Sequence, residues 1–464
     1  MNQLSEPAFP VPVDLLITGA RLVCFDDANR IIEPGAIGIQ GTEIAWIGDE
    51  ADAAAQIIAK ETLRAEGMIA MPGLVDCHVH TAQQFLHGKL QSIQRRGELR
   101  QPMWQVYLVS FESCLSPEDV YASGMACYGA MLRSGTTCFL DAGGPHADDM
   151  GRAADEIGIR GRIAQSTMDT VEDLPANMRC STAEALSSSE QLIERWKNHP
   201  RVNAWLSLRQ ILVNTEALRL GMREISHALK TPIHTHLNEG TYEVDYAVAR
   251  YGLRPTEYLE SIGCLDHYVH AAHSVLLSNK DLDLYQKRDV SACHCALNNY
   301  RIGAPRVLEM MARGIRMGLG TDGAGTRTSL DLFQVVHGAV LGQQAINGTP
   351  HHHDLPVTHE QMLRQAIRGG AAAAGLSSII GSLEVGKRAD IVLVSTSDSD
   401  QFPSIDPLIT LAESTVGRDV HTVLVDGKVV LREGRLTQIN LEATQEFVRS
   451  RYKDLMQRYD ALLP

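Results

Sequence analysis

Two histidines separated by one residue, His78 and His80, close an apolar run that covers residues 68–76. In a β-strand, residues i and i+2 point to the same face, so the two imidazoles can reach one metal ion together. A pair at this spacing also arises by chance. It becomes informative because four residues of metal-binding or acid–base type follow at long range: His236, Glu239, His273 and Asp322.

The segment 233–239, IHTHLNE, offers two histidines on one face of the strand that it predicts, His234 and His236. Either can supply a third metal ligand. A buried histidine that bonds to the backbone is the alternative interpretation, above all for His234. Glu239 follows where a loop can turn it back over the metal, and a carboxylate there can move a proton between water and substrate.

His273 and Asp322 each follow an apolar run that predicts a strand. His273 can then face a metal-bound water. Asp322 stands among glycines in the segment 318–325, GLGTDGAG, and glycine permits the backbone angles that let a short carboxylate reach inward. An ordinary turn is the alternative for Asp322, so its interpretation as a ligand depends on the histidines at other strand ends. Three histidines and one aspartate suit Zn²⁺ or Fe²⁺, and such an ion lowers the pKa of its water to about 7.

Short apolar runs alternate with helical patterns through the middle of the chain, which predicts βα units and a parallel sheet. Helices are predicted over residues 117–132 and 217–229. The pattern suits a (β/α)₈ barrel, in which catalytic residues lie at the carboxyl ends of the strands. A doubly wound open sheet is the alternative. The predicted strands cover residues 73–77, 136–141, 159–165, 203–208, 231–236, 267–272, 289–293 and 315–320.

Short strands punctuated by Gly, Asp and Asn recur at both ends of the chain, and they predict one small β-sandwich domain built from both. We therefore predict a composite β domain over residues 1–70 and 381–440, a catalytic barrel over 71–380, and a C-terminal helix over 441–464. A length of 464 residues is in keeping with one large domain and a smaller one.

The formal net charge of -14 argues against a nucleic-acid polymer or an anionic membrane as partner, because binding either needs a basic face. Small uncharged or cationic substrates are compatible with this charge. Nine cysteines without regular spacing predict no disulfide framework and favour a reducing cytoplasm. We expect no secretory signal and no membrane helix, since no apolar stretch approaches ~18 residues.

With these motifs the chain resembles the amidohydrolase superfamily, specifically its aminohydrolase branch, which contains guanine deaminase, methylthioadenosine/S-adenosylhomocysteine deaminase and the triazine hydrolases. Two segments carry the resemblance, PGLVDCHVH at residues 72–80 and GSLEVGKRADIV at residues 381–392. The second segment is the one that returns the family's chain from the barrel to the β domain. The resemblance covers essentially the whole sequence.

By position, the resemblance implies roles for the site residues. Glu239 looks like the proton shuttle, and His273 looks like the residue that polarises the attacking water or the ring substituent. Relatives with two metals bridge them with a carboxylated lysine on the fourth strand, and residues 202–208 hold no lysine. One divalent ion per chain is therefore expected, Zn²⁺ first and Fe²⁺ second. The implied metal ligands are His78, His80, His236 and Asp322.

Three residues are predicted to bind substrate. Gln83 and Arg209 resemble the residues with which guanine deaminases hold a purine, although a spacer and a surface charge are the alternatives. A Gln amide both donates and accepts and Arg offers a rigid fork, so the pair suits a ring with adjacent C=O and N–H groups. Trp104 lies in a long insert, residues 84–115, which is predicted to be a lid or an oligomer contact, and residues 174–189 are a second candidate lid.

We therefore predict a metal-dependent hydrolytic deaminase of an amino-substituted nitrogen heterocycle, such as a purine or a pterin, and a homo-oligomer. Hydroxide attacks the ring carbon, Glu239 protonates the ring nitrogen and then the departing amine, and His273 and Asp322 stabilise developing charge. The alternative enzyme is a triazine-type hydrolase that releases chloride or alkylamine, or a ring amidohydrolase. The alternative class is a non-catalytic, metal-dependent binding protein. Residues 295–299 and Asn238 depart from the commoner family pattern, so no single relative's substrate transfers to this chain.

Overall fold

The structure, a computed structural model, describes residues 10–170, 174–326, 329–348, 356–397 and 401–463. Within these ranges, no helix combines the length and the apolar character that crossing a bilayer requires. The strands are β1 (Val11–Val23), β2 (Ile31–Gln40), β3 (Glu43–Asp49), β4 (Ile57–Arg64), β5 (Met68–Pro72), β6 (Leu74–Val79), β7 (Thr136–Asp141), β8 (Arg160–Ile163), β9 (Val202–Ala204), β10 (Leu206–Leu208), β11 (Ile233–Leu237), β12 (Val269–His273), β13 (Ser291–His294), β14 (Met317–Leu319), β15 (Ile391–Ser395), β16 (Val420–Val425), β17 (Lys428–Arg432) and β18 (Arg435–Leu436).

The α-helices of the described ranges alternate with the strands in the middle of the chain. Shorter segments of 3-10 or π-helix include Thr81–Leu86 and Trp104–Val109. The helices are α1 (Glu50–Gln56), α2 (Lys89–Arg95), α3 (Ser110–Ser113), α4 (Pro117–Arg133), α5 (Ala147–Ile157), α6 (Thr182–Trp196), α7 (Glu216–Leu229), α8 (Thr241–Tyr251), α9 (Pro255–Ser261), α10 (Asn279–Arg288), α11 (Ala296–Ile302), α12 (Val307–Ala312), α13 (Leu332–Asn347), α14 (His359–Arg364), α15 (Gly370–Ala373), α16 (Pro407–Ile409) and α17 (Leu441–Asp460).

Parallel strands in chain order form the barrel. β6 to β9 pair in sequence, and β10 to β14 do the same. The predicted fourth strand, 203–208, is divided at Trp205 because β9 pairs with β8 and β10 pairs with β11. The Asp322 N–H donates to the His78 carbonyl at 2.9 Å and brings the end of β14 beside β6. The strand order never reverses, as a doubly wound sheet would require, and the arrangement is that of a (β/α)₈ barrel.

Strands from both chain ends form a nine-stranded sheet within the described ranges, ordered β18-β17-β16-β15-β5-β1-β2-β3, with β4 beside β1. Antiparallel pairing of β15 with β5, Ile391 opposite Pro72, joins the two ends of the chain. The sequence predicts a sandwich here, and hydrogen bonds connect its strands into one continuous sheet. The reason is β1, which is 13 residues long and bulged, pairing with β4 along its first part and with β5 at Arg21 and Leu22.

Helix α17 packs against the insert that follows β6. Arg451 on α17 forms an ion pair with Asp119 at 2.7 Å, and the Tyr459 hydroxyl donates to the Tyr107 carbonyl at 3.1 Å. Asp119 also completes a capping box with Ser116 at the start of α4. The C-terminal helix therefore fixes the insert to the helical layer of the barrel.

Candidate metal and catalytic site

Three strand ends bring polar side chains to one point of the barrel. His78 and the adjoining His80 come from the end of β6, His236 from β11, and Asp322 follows β14. Nε2 of His80 lies 3.2 Å from Nε2 of His236, and Oδ1 of Asp322 lies 3.4 Å from His78 Nε2 and 3.6 Å from His80 Nε2. All four side chains are buried. The carboxyl ends of parallel barrel strands share one face, so residues far apart in sequence meet here.

Hydrogen bonds from neighbouring groups orient the members of this cluster. His236 Nδ1 donates to the Arg209 carbonyl at 2.7 Å, and because a carbonyl only accepts, Nε2 of a neutral His236 carries its lone pair toward His80. Oδ1 of Asp322 accepts the Gly323 N–H at 2.6 Å, and Oδ2 accepts the Asn298 amide at 2.7 Å. Partners of this kind fix the direction of metal-ligating side chains.

The donor set of the cluster fits a divalent metal. Burial and neighbouring histidines lower the pKa of His80 and of His236 well below the ordinary value, so both rings are neutral near pH 7. Nε2 of His78 is buried and has no hydrogen-bond partner among the described residues. Neutral imidazole nitrogens and a carboxylate are ligands that Zn²⁺ accepts. Ligand atoms of two groups lie within 4.8 Å of one another: His78, His236 and His273, and His78, His80 and Asp322.

His234, the rival ligand, lies to one side of this point. Its Nε2 is 2.9 Å from Nδ1 of His78, so it contacts the back of one ligand candidate rather than the convergence of Nε2 and Oδ1 atoms. The geometry therefore favours His236 as the third histidine. Neither β9 nor β10 carries a lysine, which is in keeping with a single metal.

Glu239 and His273 face each other beside the cluster. Nε2 of His273 is 3.8 Å from Oε1 of Glu239, and Nδ1 of His273 is 3.0 Å from the accepting Oδ1 of Asn299. Burial disfavours a charge on His273, but the negative charges of Glu239 and Cys295 raise its pKa well above the ordinary value. His273 can therefore donate hydrogen bonds from both ring nitrogens.

Three residues at the strand ends have a backbone conformation that only glycine adopts freely. φ is 53° at Asn238, 71° at His273 and 62° at Asp322. Such angles cost non-glycine residues free energy and recur at functional sites, where the surrounding fold enforces them. Here they turn the chain sharply where each strand meets the loop that carries or follows a site residue.

A cavity of about 640 Å³ includes the cluster. Trp104 lines this cavity, and its indole Nε1 is buried without a hydrogen-bond partner among the described residues. Site residues His80, His236, Glu239, His273 and Asp322 line part of the wall. The insert lines much of the rest, through Leu90, Gln91, Gln94, Leu99, Gln101, Pro102, Met103, Trp104 and Leu108.

Comparison with known proteins decides the family. The model of the amidohydrolase family matches residues 69–430. The chain belongs to the amidohydrolase family. A 5-methylthioadenosine/S-adenosylhomocysteine deaminase of Syntrophobacter fumaroxidans is 30% identical over 438 residues, which cover 94% of this chain and 97% of that protein. The crystal structure of an adenosine deaminase from Xanthomonas campestris with bound zinc has a TM-score of 0.87 and 25% identity, covering 97% of this chain and 100% of that one.

A third relative shares the fold. Atrazine chlorohydrolase from Arthrobacter aurescens, complexed with zinc, has a TM-score of 0.82 at 22% identity and covers 94% of this chain and 100% of its own. The predicted family, barrel fold, C–N hydrolase class and hydrolytic deaminase class are confirmed. The zinc bound in the adenosine deaminase structure and the His/Asp cluster of this chain support a divalent-metal enzyme.

In this amidohydrolase, two predicted substrate residues meet on a carboxylate that sequence reasoning missed, Glu112. Gln83 Nε2 donates to Glu112 Oε1 at 2.8 Å, and Arg209 pairs with Oε2 of the same side chain. Arg209 lines the cavity, whereas Gln83 is not among its lining residues. Glu112 therefore balances the charge of Arg209, and the first partner of Gln83 is Glu112. No signal in the sequence links Glu112 to Arg209, 97 residues away.

The two candidate lids differ in position. The insert 84–115 forms cavity wall, but no described residue of 174–189 does. That second segment instead supports the insert, since Asn177 Nδ2 donates to the Ser113 carbonyl at 2.6 Å. Two other cavity residues, Gln210 and Tyr242, bond to Glu239 and were also missed. Only the spacing of Tyr242, three residues after Glu239, could have pointed to such a contact.

Proposed function

We propose that the chain is a zinc-dependent hydrolase that removes ammonia from an aminopurine nucleoside or a closely related ring. The observation that carries the proposal is the position of Glu239 and His273 beside the His/Asp cluster in one cavity. Relatives of nearly full length act on methylthioadenosine and S-adenosylhomocysteine by name. A cavity of about 640 Å³ is in the range that holds a drug-sized ligand, which leaves room for a substituent beyond a bicyclic ring.

His78, His80, His236 and Asp322 are proposed to hold the metal. A divalent ion bound there lowers the pKa of a water molecule to about 7 and so makes a nucleophile available at neutral pH. Glu239 accepts a proton from the attacking water and delivers it to the ring nitrogen beside the amino-bearing carbon. The proton of the hydroxyl added to the ring carbon then passes through Glu239 to the amine, which leaves as ammonia while the ring carbon becomes a carbonyl. His273, held by Asn299, donates a hydrogen bond to the developing negative charge.

Trp104 and Arg209 are proposed to hold the rest of the substrate. Trp104 lines the cavity, so its indole ring is proposed to pack against the substrate ring. The guanidinium of Arg209 offers N–H donors to the substrate, and the carboxylate of Glu112 beside it is a nearby acceptor. Gln83 is proposed to act through Glu112 instead of touching the ring. A homo-oligomer and a cytoplasmic location stay predictions from the sequence.

The test is Glu239→Gln in zinc-loaded protein, with ammonia release from a panel of aminopurine nucleosides, free aminopurines and pterins. We expect kcat to fall by roughly 10²–10⁴-fold while zinc content stays near one per chain. The exposed Glu118→Gln variant is the matched control and should keep full activity. Unchanged kcat in Glu239→Gln would overturn the proton-shuttle role.

The same panel separates the alternatives. Chloride or alkylamine release from triazines without ammonia from any purine would support the triazine hydrolase and refute the deaminase. Binding of a purine nucleoside without turnover, at full zinc occupancy, would support a non-catalytic binding protein. Ammonia release from nucleosides faster than from free bases supports the proposed substrate class.

A further inference from the structure

The two carboxylate oxygens of Glu239 have different surroundings. Oε2 accepts the hydroxyl of Tyr242 at 2.7 Å and the amide N–H of Gln210 at 3.0 Å. Oε1 faces His273, whose Nε2 is 3.8 Å away. One oxygen is therefore held by two donors while the other is directed toward the proposed reaction centre.

Tyr242 and Gln210 also bond to each other. Gln210 Nε2 lies 2.8 Å from the Tyr242 hydroxyl, so the two side chains and Oε2 of Glu239 form a closed triangle of polar contacts. Gln210 comes two residues after β10 and Tyr242 from the first turn of α8, so two separate elements of the barrel support the carboxylate. All three residues line the cavity.

Gly240 supports the same arrangement. A Cβ at this position would lie 2.6 Å from Cε1 of the Tyr242 ring, closer than real Cβ atoms approach. Its φ of −136° is open to every residue, so backbone conformation gives no reason for a glycine here. The ring of Tyr242 folds back toward Glu239 and needs the space that a side chain at position 240 would fill, and this steric requirement explains the glycine.

We propose that Tyr242 and Gln210 are positioning residues that keep Oε1 of Glu239 as the proton-transferring oxygen, and that Gly240 makes room for this contact. The proposal rests on the proposed proton-shuttle role of Glu239. Two donors on Oε2 oppose rotation of the carboxylate. When Oε1 takes a proton from water, Oε2 becomes the carbonyl oxygen and still accepts both bonds; when Oε1 gives the proton to the ring nitrogen, the carboxylate is restored. A proton on Oε2 would displace a donor, so it stays on Oε1.

The first test compares Tyr242→Phe, Gln210→Met and the double variant as zinc-loaded enzymes. We expect kcat to fall about 10-fold in each single variant and roughly 10²-fold in the double one, since misplacing a catalytic group costs this much. KM should stay within about two-fold and zinc content should not change. Tyr246→Phe, one turn further along α8 and outside the cavity lining, is the control and should match the wild type.

Substrate contact is the rival role for these two residues, and KM distinguishes it. A raised KM with unchanged kcat in Tyr242→Phe would overturn the proposal, and so would unchanged kcat and KM. If Glu239→Gln itself retains activity, the proposed function fails as well. If Glu239→Gln loses activity but Tyr242→Phe and Gln210→Met keep the kcat of the wild type, only the positioning role of Tyr242 and Gln210 fails.

The second test uses Gly240→Ala. The added methyl group displaces the Tyr242 ring, so kcat should fall as in Tyr242→Phe. In a Tyr242→Phe background there is no hydroxyl left to displace, and Gly240→Ala should reduce kcat no further, a non-additivity expected of residues that act through one contact. Fully additive losses in the double variant would overturn the role assigned to Gly240, and circular dichroism checks that each variant is folded.

Discussion

Two buried polar groups of this molecule differ in how their charges are balanced. Where the barrel meets the β domain, Arg160 on β8 donates to Asp390 at 2.7 Å and 3.1 Å and pairs with Asp426. Burial opposes the charge of Arg160, but the two aspartates raise its pKa above the ordinary value. Asp390 also accepts the Asp426 N–H at 2.9 Å. Arg388 Nε lies 3.9 Å from Asp426, so two arginines face two aspartates and the group balances its own charge.

The His/Asp cluster at the proposed metal site is not balanced in this way. His80 and His236 present ring nitrogens to each other at 3.2 Å, and Nε2 of His78 has no hydrogen bond within the part of the chain that the structure describes. Buried polar atoms are normally paired, and these ring nitrogens, which converge with a carboxylate oxygen, form a donor set that fits a divalent metal. Both groups are buried. The side chains around Arg160 are paired with one another, whereas the His/Asp cluster presents ligand atoms that suit a metal ion.

Of the variants that test this comparison, His236→Ala should have the largest effect. Loss of one of the proposed ligands should reduce zinc content from about one per chain to near zero and lower kcat/KM by more than about 10³-fold, because the nucleophile is lost. Zinc should raise the melting temperature of the wild type and not of the variant, since only binding to the folded state stabilises it. Metal analysis and thermal unfolding with and without zinc measure both effects.

His234→Ala is the matched control. His234 contacts Nδ1 of His78 and not the convergence of ligand atoms, so zinc affinity should weaken by about 10–100-fold, as for an outer partner of a ligand, and full occupancy should return at saturating zinc. If His234→Ala abolishes zinc binding and His236→Ala does not, the assignment of the third histidine is wrong.

At the other group, Arg160→Met should change stability and not chemistry. The substitution leaves Asp390 buried without its cation and leaves Asp426 with Arg388 at 3.9 Å, and breaking a buried pair in this way typically costs about 3–5 kcal/mol of unfolding free energy. Zinc content and kcat of the folded fraction should match the wild type. Adding Asp390→Asn and Asp426→Asn should restore much of the loss, because a neutral group needs no counter-charge.

Arg162→Met is the control for this variant. Arg162 lies two positions along β8 and donates to the Ala374 carbonyl at 3.2 Å, but no described carboxylate lies within ion-pair distance of it. Burial lowers its pKa, the opposite of the shift at Arg160. Replacing it should cost less than replacing Arg160. An equal loss of unfolding free energy for both arginines would show that packing, and not the paired charge, stabilises the contact between the barrel and the β domain.

The sequence was sufficient for those parts of the site that depend on strand periodicity. Parallel strands bring their carboxyl ends to one face, so periodicity grouped His78, His80 and Asp322 with His234 or His236, and the family resemblance favoured His236. The barrel followed from the same alternation. The exact strand limits did not, because pairing with a neighbour decides them, as at Trp205 where one strand changes partner.

The contacts that the sequence did not reveal join side chains across loops. Glu112 meets Arg209 only because the insert passes over the barrel end, and no local pattern encodes that path. Gln210 and Tyr242 lie on different elements and meet at Glu239. Likewise, no local pattern shows that the long strand β1 pairs with three other strands and so connects the small domain into one hydrogen-bonded sheet.

A buried carboxyl beside the active site refines the comparison further. Glu243 accepts the Glu239 N–H on Oε2 at 2.8 Å. Its Oε1 has no hydrogen-bond partner among the described residues, and no described cation lies within ion-pair distance of the carboxyl. Burial raises its pKa from 4.5 to about 8. The folded state then holds a proton that the unfolded chain releases between these values, so this group lowers stability as pH rises from about 4.5 to about 8.

Glu243→Gln keeps an acceptor for the Glu239 N–H and removes the titration. Relative to wild type, it should gain stability with rising pH through this window, by at most about 1.4 kcal/mol per pH unit, and the gain should level off above about pH 8. Urea unfolding across the window measures it. A stability difference between Glu243→Gln and the wild type that does not change with pH across this window would show that Glu243 is not a buried carboxyl with a raised pKa.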